Sequence, residues 1–158
     1  MRKLKIYLDT SVISHLYQLD APEKMNETIA LWEQIKQGKY DVYLSQVTLD
    51  EVYQCNEEKL EILRNHMADI DFTLLDIDTE DKNIALKFIE NGILTNKSLS
   101  DCYHIASAMK NGCDVIISWN FKHICNIKTI KGVKIVSGIT NYPEVAIYSP
   151  PVLAEGRI

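Results

Sequence analysis

A short apolar strand that ends in three polar residues is the feature that most constrains this chain. The segment KLKIYLDTSVI (residues 3–13) has apolar residues at alternate positions up to Leu8, followed by Asp9, Thr10 and Ser11. Such alternation predicts a β-strand. Asp and Thr compete with the backbone for hydrogen bonds, so they favour a helix start directly after the strand. Asp9 is therefore predicted at the carboxyl end of the first strand, the edge where open α/β sheets bind ligands.

Further strands follow, and helical patterns separate most of them. The predicted strands after the first lie at residues 41–45, 72–77, 114–118 and 133–136. The main predicted helices lie at about residues 22–37, 46–55, 58–68, 79–91 and 98–111. This alternation predicts an α/β fold with a mostly parallel central sheet of four to five strands, covered by helices on both faces.

The chain is predicted to form one globular domain with a separate end segment. At 158 residues it is large enough for one substantial core. We expect the domain to span residues 1–140. Residues 141–158 contain three of the four prolines and no clear periodicity, so they predict an extended C-terminal tail.

Charge and hydropathy restrict the classes of partner. A net charge of −5 argues against general binding of nucleic acid through charge alone. The charge is uneven, because residues 101–158 hold six Lys and Arg against four Asp and Glu. A basic span, defined as Lys122, His123, Lys128, Lys131 and Lys134, is either a phosphate-facing patch or an ordinary solvated face. We find no apolar run long enough for a membrane span and no signal peptide, and we expect a cytoplasmic protein without a membrane partner.

Four polar residues are predicted to meet at one edge of the sheet. Asp9 ends the first strand, Glu51 lies in the helix after the second, Asp101 opens the helix before the fourth, and Asn120 follows the fourth. Carboxylates that converge repel each other unless they are protonated or hold a cation. Oxygen ligands without an accompanying His or Cys pair suit Mg²⁺ or Mn²⁺.

Each of these residues also has an ordinary structural explanation. Asp9 could simply cap a helix, and Asn120 could be a turn residue. Glu51 and Asp101 each follow a hydroxyl residue by three positions, which is the capping-box pattern. Asp101, however, shares a helical face with Ile105, so its carboxylate begins an apolar stripe. Charged groups are rarely buried unless they are paired or bind a metal, which favours a functional role for Asp101.

Ordered motifs along the chain resemble one known family. The segments YLDTSVIS, LSQVTLDE, LSDCYHIASAMKNGCDVIIS and SWNFKHI resemble the successive motifs of PIN-domain ribonucleases, across nearly the whole chain. The VapC-type toxins of toxin–antitoxin pairs are the members that they resemble most. No single motif is very specific, whereas the ordered set with compatible spacing is.

The resemblance implies a divalent-metal-dependent endoribonuclease that acts on single-stranded or structured RNA. The positions that it implies for catalysis are Asp9, Glu51, Asp101 and Asn120, of which the three acids would hold Mg²⁺ or Mn²⁺. Asn120 stands where many members carry a fourth Asp. Thr10 or Ser11 matches a hydroxyl position beside the first Asp, and we expect Lys122 and His123 to contact the RNA. The resemblance and the apolar tail also predict a protein partner, either a second copy of the chain or a cognate antitoxin.

Other functions remain open from the sequence. A haloacid-dehalogenase-type phosphotransferase needs a second Asp two residues after the first, where this chain has Ser11. A receiver domain needs paired acids early in the chain, and none flanks Asp9. A catalytically weak PIN fold that only binds RNA or protein is compatible with the sequence, because Asn120 is a substituted position.

Overall fold

The computed structural model describes residues 2–158 and contains a parallel five-stranded sheet. Its strands are β1 (Lys5–Leu8), β2 (Asp41–Ser45), β3 (Thr73–Leu75), β4 (Val115–Ile117) and β5 (Ala146–Tyr148). Their spatial order is β3-β2-β1-β4-β5, and every neighbouring pair is parallel. The predicted α/β class and parallel sheet are confirmed.

Eight α-helices cover the two faces of this sheet within residues 2–158. They are α1 (Thr10–Ser14), α2 (Pro22–Lys36), α3 (Gln46–Val52), α4 (Glu57–Ala68), α5 (Thr79–Glu90), α6 (Leu99–Lys110), α7 (Ile127–Thr140) and α8 (Pro150–Ala154). Short 3₁₀ turns follow α1 at His15–Tyr17 and precede α6 at Asn96–Ser98. None of these helices has both the length and the apolar character of a membrane span.

The central strand β1 positions the edge predicted to carry function. Its alternating side chains divide between two cores, with Ile6 and Leu8 in one and Tyr7 in the other. The strand pairs with β2 on one side and β4 on the other, and Leu8 aligns with Ile117. Asp9 therefore follows β1 directly beside the residues that follow β4.

The prediction of a strand at residues 133–136 is wrong, because this segment lies inside α7. Asn126 begins the helix by accepting a hydrogen bond from the backbone N–H of Thr129. Val133 and Val136, three residues apart, are buried on one helical face, while Ile135 is half exposed. The β-branched residues of this segment resemble a strand, but their burial follows the period of a helix.

Residues 146–154, which lie within the predicted extended tail 141–158, form β5 and α8 in the structure. Strand β5 pairs with β4 and forms an edge of the sheet, and α8 packs against α2. Ile147 and Leu153 are buried in the two cores, which explains why this proline-rich segment is ordered. Residue 1, the first of the predicted domain 1–140, lies outside the described residues.

Candidate active site

Asp9 is buried at the carboxyl end of β1, where hydroxyl groups hold its carboxylate. Ser11 Oγ donates to Asp9 Oδ1, and Ser118 Oγ donates to Asp9 Oδ2. The backbone N–H of Val12 adds a hydrogen bond of 3.3 Å, so Asp9 also caps α1. Burial raises the pKa of Asp9, although His104 and the hydroxyl hydrogen bonds oppose the rise. Asp9 therefore caps α1 and also presents a fixed carboxylate at the edge of the sheet.

Glu51 is held by residues from two other elements. Thr10 Oγ1 donates to Glu51 Oε1 at 2.7 Å, and His104 Nε2 lies 2.6 Å from the same oxygen. Because an ionised carboxylate can only accept, His104 Nε2 must donate to it. Burial pushes the pKa of Glu51 up, but the hydrogen bond and attraction of His104 bring it below its ordinary value. Glu51 is therefore ionised at neutral pH.

Buried polar side chains form hydrogen bonds on the other side of the His104 ring. Its Nδ1 lies 2.6 Å from the hydroxyl of Tyr7, which lies 2.7 Å from Ser45 Oγ. This nitrogen and the Tyr7 hydroxyl share a hydrogen bond whose direction follows the protonation state of the imidazole. Burial raises the pKa of Tyr7, so this hydroxyl stays protonated. The chain of hydrogen bonds fixes the ring of His104 and, through it, the orientation of Glu51.

Asp101 and Asn120 meet across the gap between α6 and the loop after β4. Asn120 Nδ2 donates to Asp101 Oδ1 at 3.3 Å. Asn120 Oδ1 accepts from the backbone N–H of His123 at 2.9 Å, so Asn120 also shapes the turn. Ser98 makes no side-chain cap on α6, which leaves the predicted capping box with Asp101 unformed.

The charges of Asp9 and Glu51 act on the carboxyl group of Asp101. Burial raises the pKa of Asp101, and the negative charges of Asp9 and Glu51 raise it further. His104 and His123 oppose this rise. Removing water and adding negative neighbours both disfavour ionised Asp101, and a bound cation relieves both effects.

The donor set fits a hydrated hard cation better than a closed metal cage. Among residues 2–158, no three His, Cys, Asp or Glu side chains are gathered closely enough to hold a metal by themselves. Mg²⁺ keeps several waters and is usually bound through one or two carboxylates. Asp9 and Asp101 supply such oxygens, and Asn120 contributes a neighbouring amide.

Comparison with known proteins bears on the family and on the fold. The family model for the PIN domain matches residues 6–123, about three quarters of the chain. The chain belongs to the PIN-domain family. Its fold is similar to a chain in the crystal structure of VapBC2 from Rickettsia felis bound to a DNA fragment from their promoter. The TM-score is 0.55 and the identity 11%, over 92% of this chain and 98% of that chain, so the likeness concerns the fold. No curated protein matches the sequence.

In this PIN domain, the residues predicted to contact substrate occupy two positions. Thr10 and Ser11 contact the carboxylates of Glu51 and Asp9, as described above. Lys122 and His123 instead line a cavity of about 200 Å³ with Ser98, whose Oγ lies 3.3 Å from His123 Nδ1. The hydroxyl residues therefore support the acids, while the basic residues flank them.

The rest of the basic span extends away from the carboxylates. Lys128 lines the same cavity as Lys122, whereas Lys131 and Lys134 are exposed farther along α7. Three other cavities are larger: one of about 530 Å³ at the amino ends of β2 and β3, one of about 670 Å³ along α4, and one of about 300 Å³ at the start of α2. Cavity volume alone therefore does not locate the carboxylate site.

Two residues of the site escaped the sequence analysis. His104 lies three positions after Asp101 in a predicted helix, and this spacing places them on neighbouring faces. Ser118 ends a predicted strand beside Asn120. Both positions could have been noted as neighbours of the acids, but their partners Glu51 and Asp9 are distant in sequence.

Proposed function

We propose that this PIN domain is a divalent-metal-dependent endoribonuclease that hydrolyses phosphodiester bonds of single-stranded or structured RNA. We propose further that it acts in the cytoplasm as a VapC-type toxin. The observation that carries the proposal is the hydrogen-bonded link between two acids at the carboxyl edge of the sheet. Ser118 Oγ donates to Asp9 and accepts from the backbone N–H of Asn120, whose side chain donates to Asp101. Membership of a nuclease family supports it.

In this proposal Asp9 and Asp101 hold Mg²⁺ or Mn²⁺, and Glu51 completes the site through water. The ion supplies Lewis-acid polarisation of the phosphodiester and a more acidic water molecule. It also offsets the repulsion between the carboxylates and RNA phosphates. Ser11 and Ser118 hold Asp9 in one orientation, so its oxygens need little rearrangement to bind the ion.

The remaining residues act on water and on the phosphate. Glu51 is ionised and oriented by His104 and Thr10, so it can accept a hydrogen bond from the attacking water. Asn120 has a donor and an acceptor and can position water or a phosphate oxygen. Lys122 and His123 flank the site, where they contact neighbouring phosphates.

Cleavage of single-stranded RNA by the purified protein tests this function. We expect cleavage in Mg²⁺ or Mn²⁺, none in EDTA, and a loss of at least about 100-fold in Asp9→Asn, as is typical when a group acting on the transition state is removed. Asp50→Asn is a matched control, because Asp50 is exposed on α3 and bonds only Gln46 among the described residues. Cleavage that persists in Asp9→Asn or in EDTA would contradict the proposal.

A binding module without appreciable catalysis is the second candidate. Asn120 favours it, because an amide at this position removes a charge that a second metal ion would need. RNA binding with an intact fold, but no cleavage in any divalent metal, would favour this candidate.

We also propose that the protein assembles with a protein partner, either as a homodimer or with a cognate antitoxin. The fold similarity to the VapBC2 structure supports the antitoxin. Light scattering of the purified chain should show a dimer, and a strict monomer would remove the support for self-association.

A further inference from the structure

Aromatic and cationic side chains lie beside the carboxylates without any part in the chemistry above. Trp119 and Phe121 contact each other edge to face with ring centroids 6.1 Å apart, and His15 lies 5.8 Å from Trp119. Lys24 Nζ lies 5.4 Å from the ring of Trp119 and 5.3 Å from that of Phe121. We call these four residues the aromatic platform.

Hydrogen bonds connect the platform rigidly to the site. The indole N–H of Trp119 donates to Thr28 Oγ1 at 2.8 Å, and its backbone N–H donates to Ser11 Oγ at 2.8 Å. The same Ser11 hydroxyl holds Asp9. Asn126 Nδ2 donates to the carbonyl of Phe121 at 3.0 Å, which fixes the loop from the other side.

Phe121 is the exposed member of the platform. Trp119 is 8% exposed, whereas Phe121 is 48% exposed. Phe121 directly follows Asn120, which donates to Asp101, so its backbone adjoins the carboxylate site. An aromatic ring held on a fixed backbone loses little conformational freedom when it binds a flat ligand.

We propose that Phe121 is a stacking site for an unpaired base of single-stranded RNA, an inference that rests on the proposed ribonuclease function. Every base has a π-face that stacks on an aromatic side chain, and unpaired bases can leave the strand to reach one. Lys24 Nζ lies over one face of the ring, 5.3 Å from its centroid, so the base stacks on the opposite face and the cation neutralises the adjoining phosphate. Duplex RNA keeps its bases stacked internally, so the platform selects unpaired segments.

Binding of a short single-stranded RNA that contains 2-aminopurine, measured in EDTA at low salt, tests the proposal. Stacking quenches 2-aminopurine fluorescence and strengthens binding. Alanine substitution of a stacking residue weakens binding by about 5- to 150-fold. We expect this loss, with loss of quenching, in Phe121→Ala and Phe121→Leu. Phe121→Trp should bind and quench as the natural protein does.

The controls distinguish base stacking from a nonspecific apolar contact and from a loss of the folded structure. Leu86 on α5 is exposed to a similar extent, and Leu86→Ala should bind RNA normally. Unchanged thermal unfolding of the Phe121 variants shows that each is folded. Normal RNA binding by Phe121→Leu would overturn the proposal, because a nonspecific apolar contact would then be enough. An altered oligomeric state with unchanged RNA binding in Phe121→Ala would overturn it in favour of a protein interface.

The readout needs neither metal nor cleavage, so it is independent of the nuclease assay. If quenching depends on Phe121 but the protein cleaves no RNA, the stacking role is supported and the nuclease function is contradicted. If cleavage depends on metal but substitution of Phe121 does not change RNA binding, the nuclease function is supported and the stacking role is contradicted.

Discussion

Neighbouring carboxylates of this site carry pKa shifts of opposite direction. The pKa of Asp101 is raised, mainly by burial. The pKa of Glu51 is lowered, because His104, Thr10 and Ser100 together outweigh the effect of its burial. One side chain therefore resists ionisation and the other favours it. Asp101 suits the role of a metal ligand that becomes fully charged when a cation binds. Glu51 suits the role of a hydrogen-bond acceptor that is always ionised.

Stability measured against pH in the absence of metal should reveal this difference. A raised carboxyl pKa gives stability that is present below the unfolded pKa and is lost as pH rises through the folded pKa. Asp101→Asn should therefore raise Tm at pH 7 by about 2–4 °C, which corresponds to about 1 kcal/mol in a domain of this size. The gain should shrink as the pH falls through the raised pKa of Asp101, because this carboxyl group then becomes protonated.

Glu51 should behave in the opposite way. Its lowered pKa gives stability that is present above the unfolded pKa and is lost as pH falls through the folded pKa. Glu51→Gln should therefore lower Tm at pH 7, and the difference should fade at acid pH. A Tm at pH 7 that falls in Asp101→Asn as much as in Glu51→Gln would contradict the electrostatic account of the site.

At the residue scale, the sequence indicated where the acids lie but not what holds them. Asp9 and Asp101 could be placed because each stands at the boundary of a predicted element. The role of His104 could not be predicted, since it contacts Tyr7 of β1 and Glu51 of α3, both more than 50 residues away in sequence. Only the parallel sheet brings these residues together.

At the scale of elements, α7 is the clearest departure from the sequence analysis. Its segment is rich in β-branched residues and contains two glycines, which lower its intrinsic helix preference. Packing decides the outcome. Gly132 lies so close to Ile93 that an added Cβ would come within 2.5 Å of Ile93 Cγ2, whereas an added Cβ at Gly138 meets nothing within 4 Å.

The two glycines should therefore respond oppositely to alanine. Gly132→Ala should lower the free energy of unfolding by about 1–3 kcal/mol, because Ile93 is buried and has little room to move. Gly138→Ala should raise it by about 0.5–1 kcal/mol, since alanine favours an exposed helical position. Urea unfolding of both variants measures the two effects. Equal effects of the same sign would show that α7 does not pack on Ile93 as described.

At the scale of the whole molecule, the C-terminal segment completes the fold. Strand β5 covers one side of β4, and the backbone N–H of Ser118 donates to the carbonyl of Tyr148 at 3.0 Å. Because Ser118 also holds Asp9, the last strand helps to fix the edge that carries the site. The sequence did not indicate this, since β5 has only three residues and follows a proline.

Leu153 of α8 offers a direct test of this role. It is 2% exposed and belongs to the core that contains Trp32 of α2. Leu153→Ala should lower the free energy of unfolding by about 2–5 kcal/mol, the usual cost of such a cavity. The exposed Arg157→Ala should change it by less than about 0.5 kcal/mol. If both substitutions change the free energy of unfolding in denaturant equally and negligibly, the C-terminal segment is an independent tail.

The overall architecture was predictable because strands and helices alternate with clear periods over most of the chain. Long helices such as α4 and α5 have strong caps and apolar faces, and their predicted extents lie within two residues of those observed. The final third was harder, because β4 is followed by an irregular loop, a helix of low propensity and a very short strand. Tertiary packing rather than local preference determines those elements.

Calorimetric titration of Mn²⁺ into the metal-free protein tests the central claim, that these carboxylates hold a divalent cation. We expect one principal site in the natural protein, its loss in Asp101→Asn, and normal binding in Asp50→Asn. Absence of binding in the natural protein, or unaltered binding in Asp101→Asn, would contradict the claim.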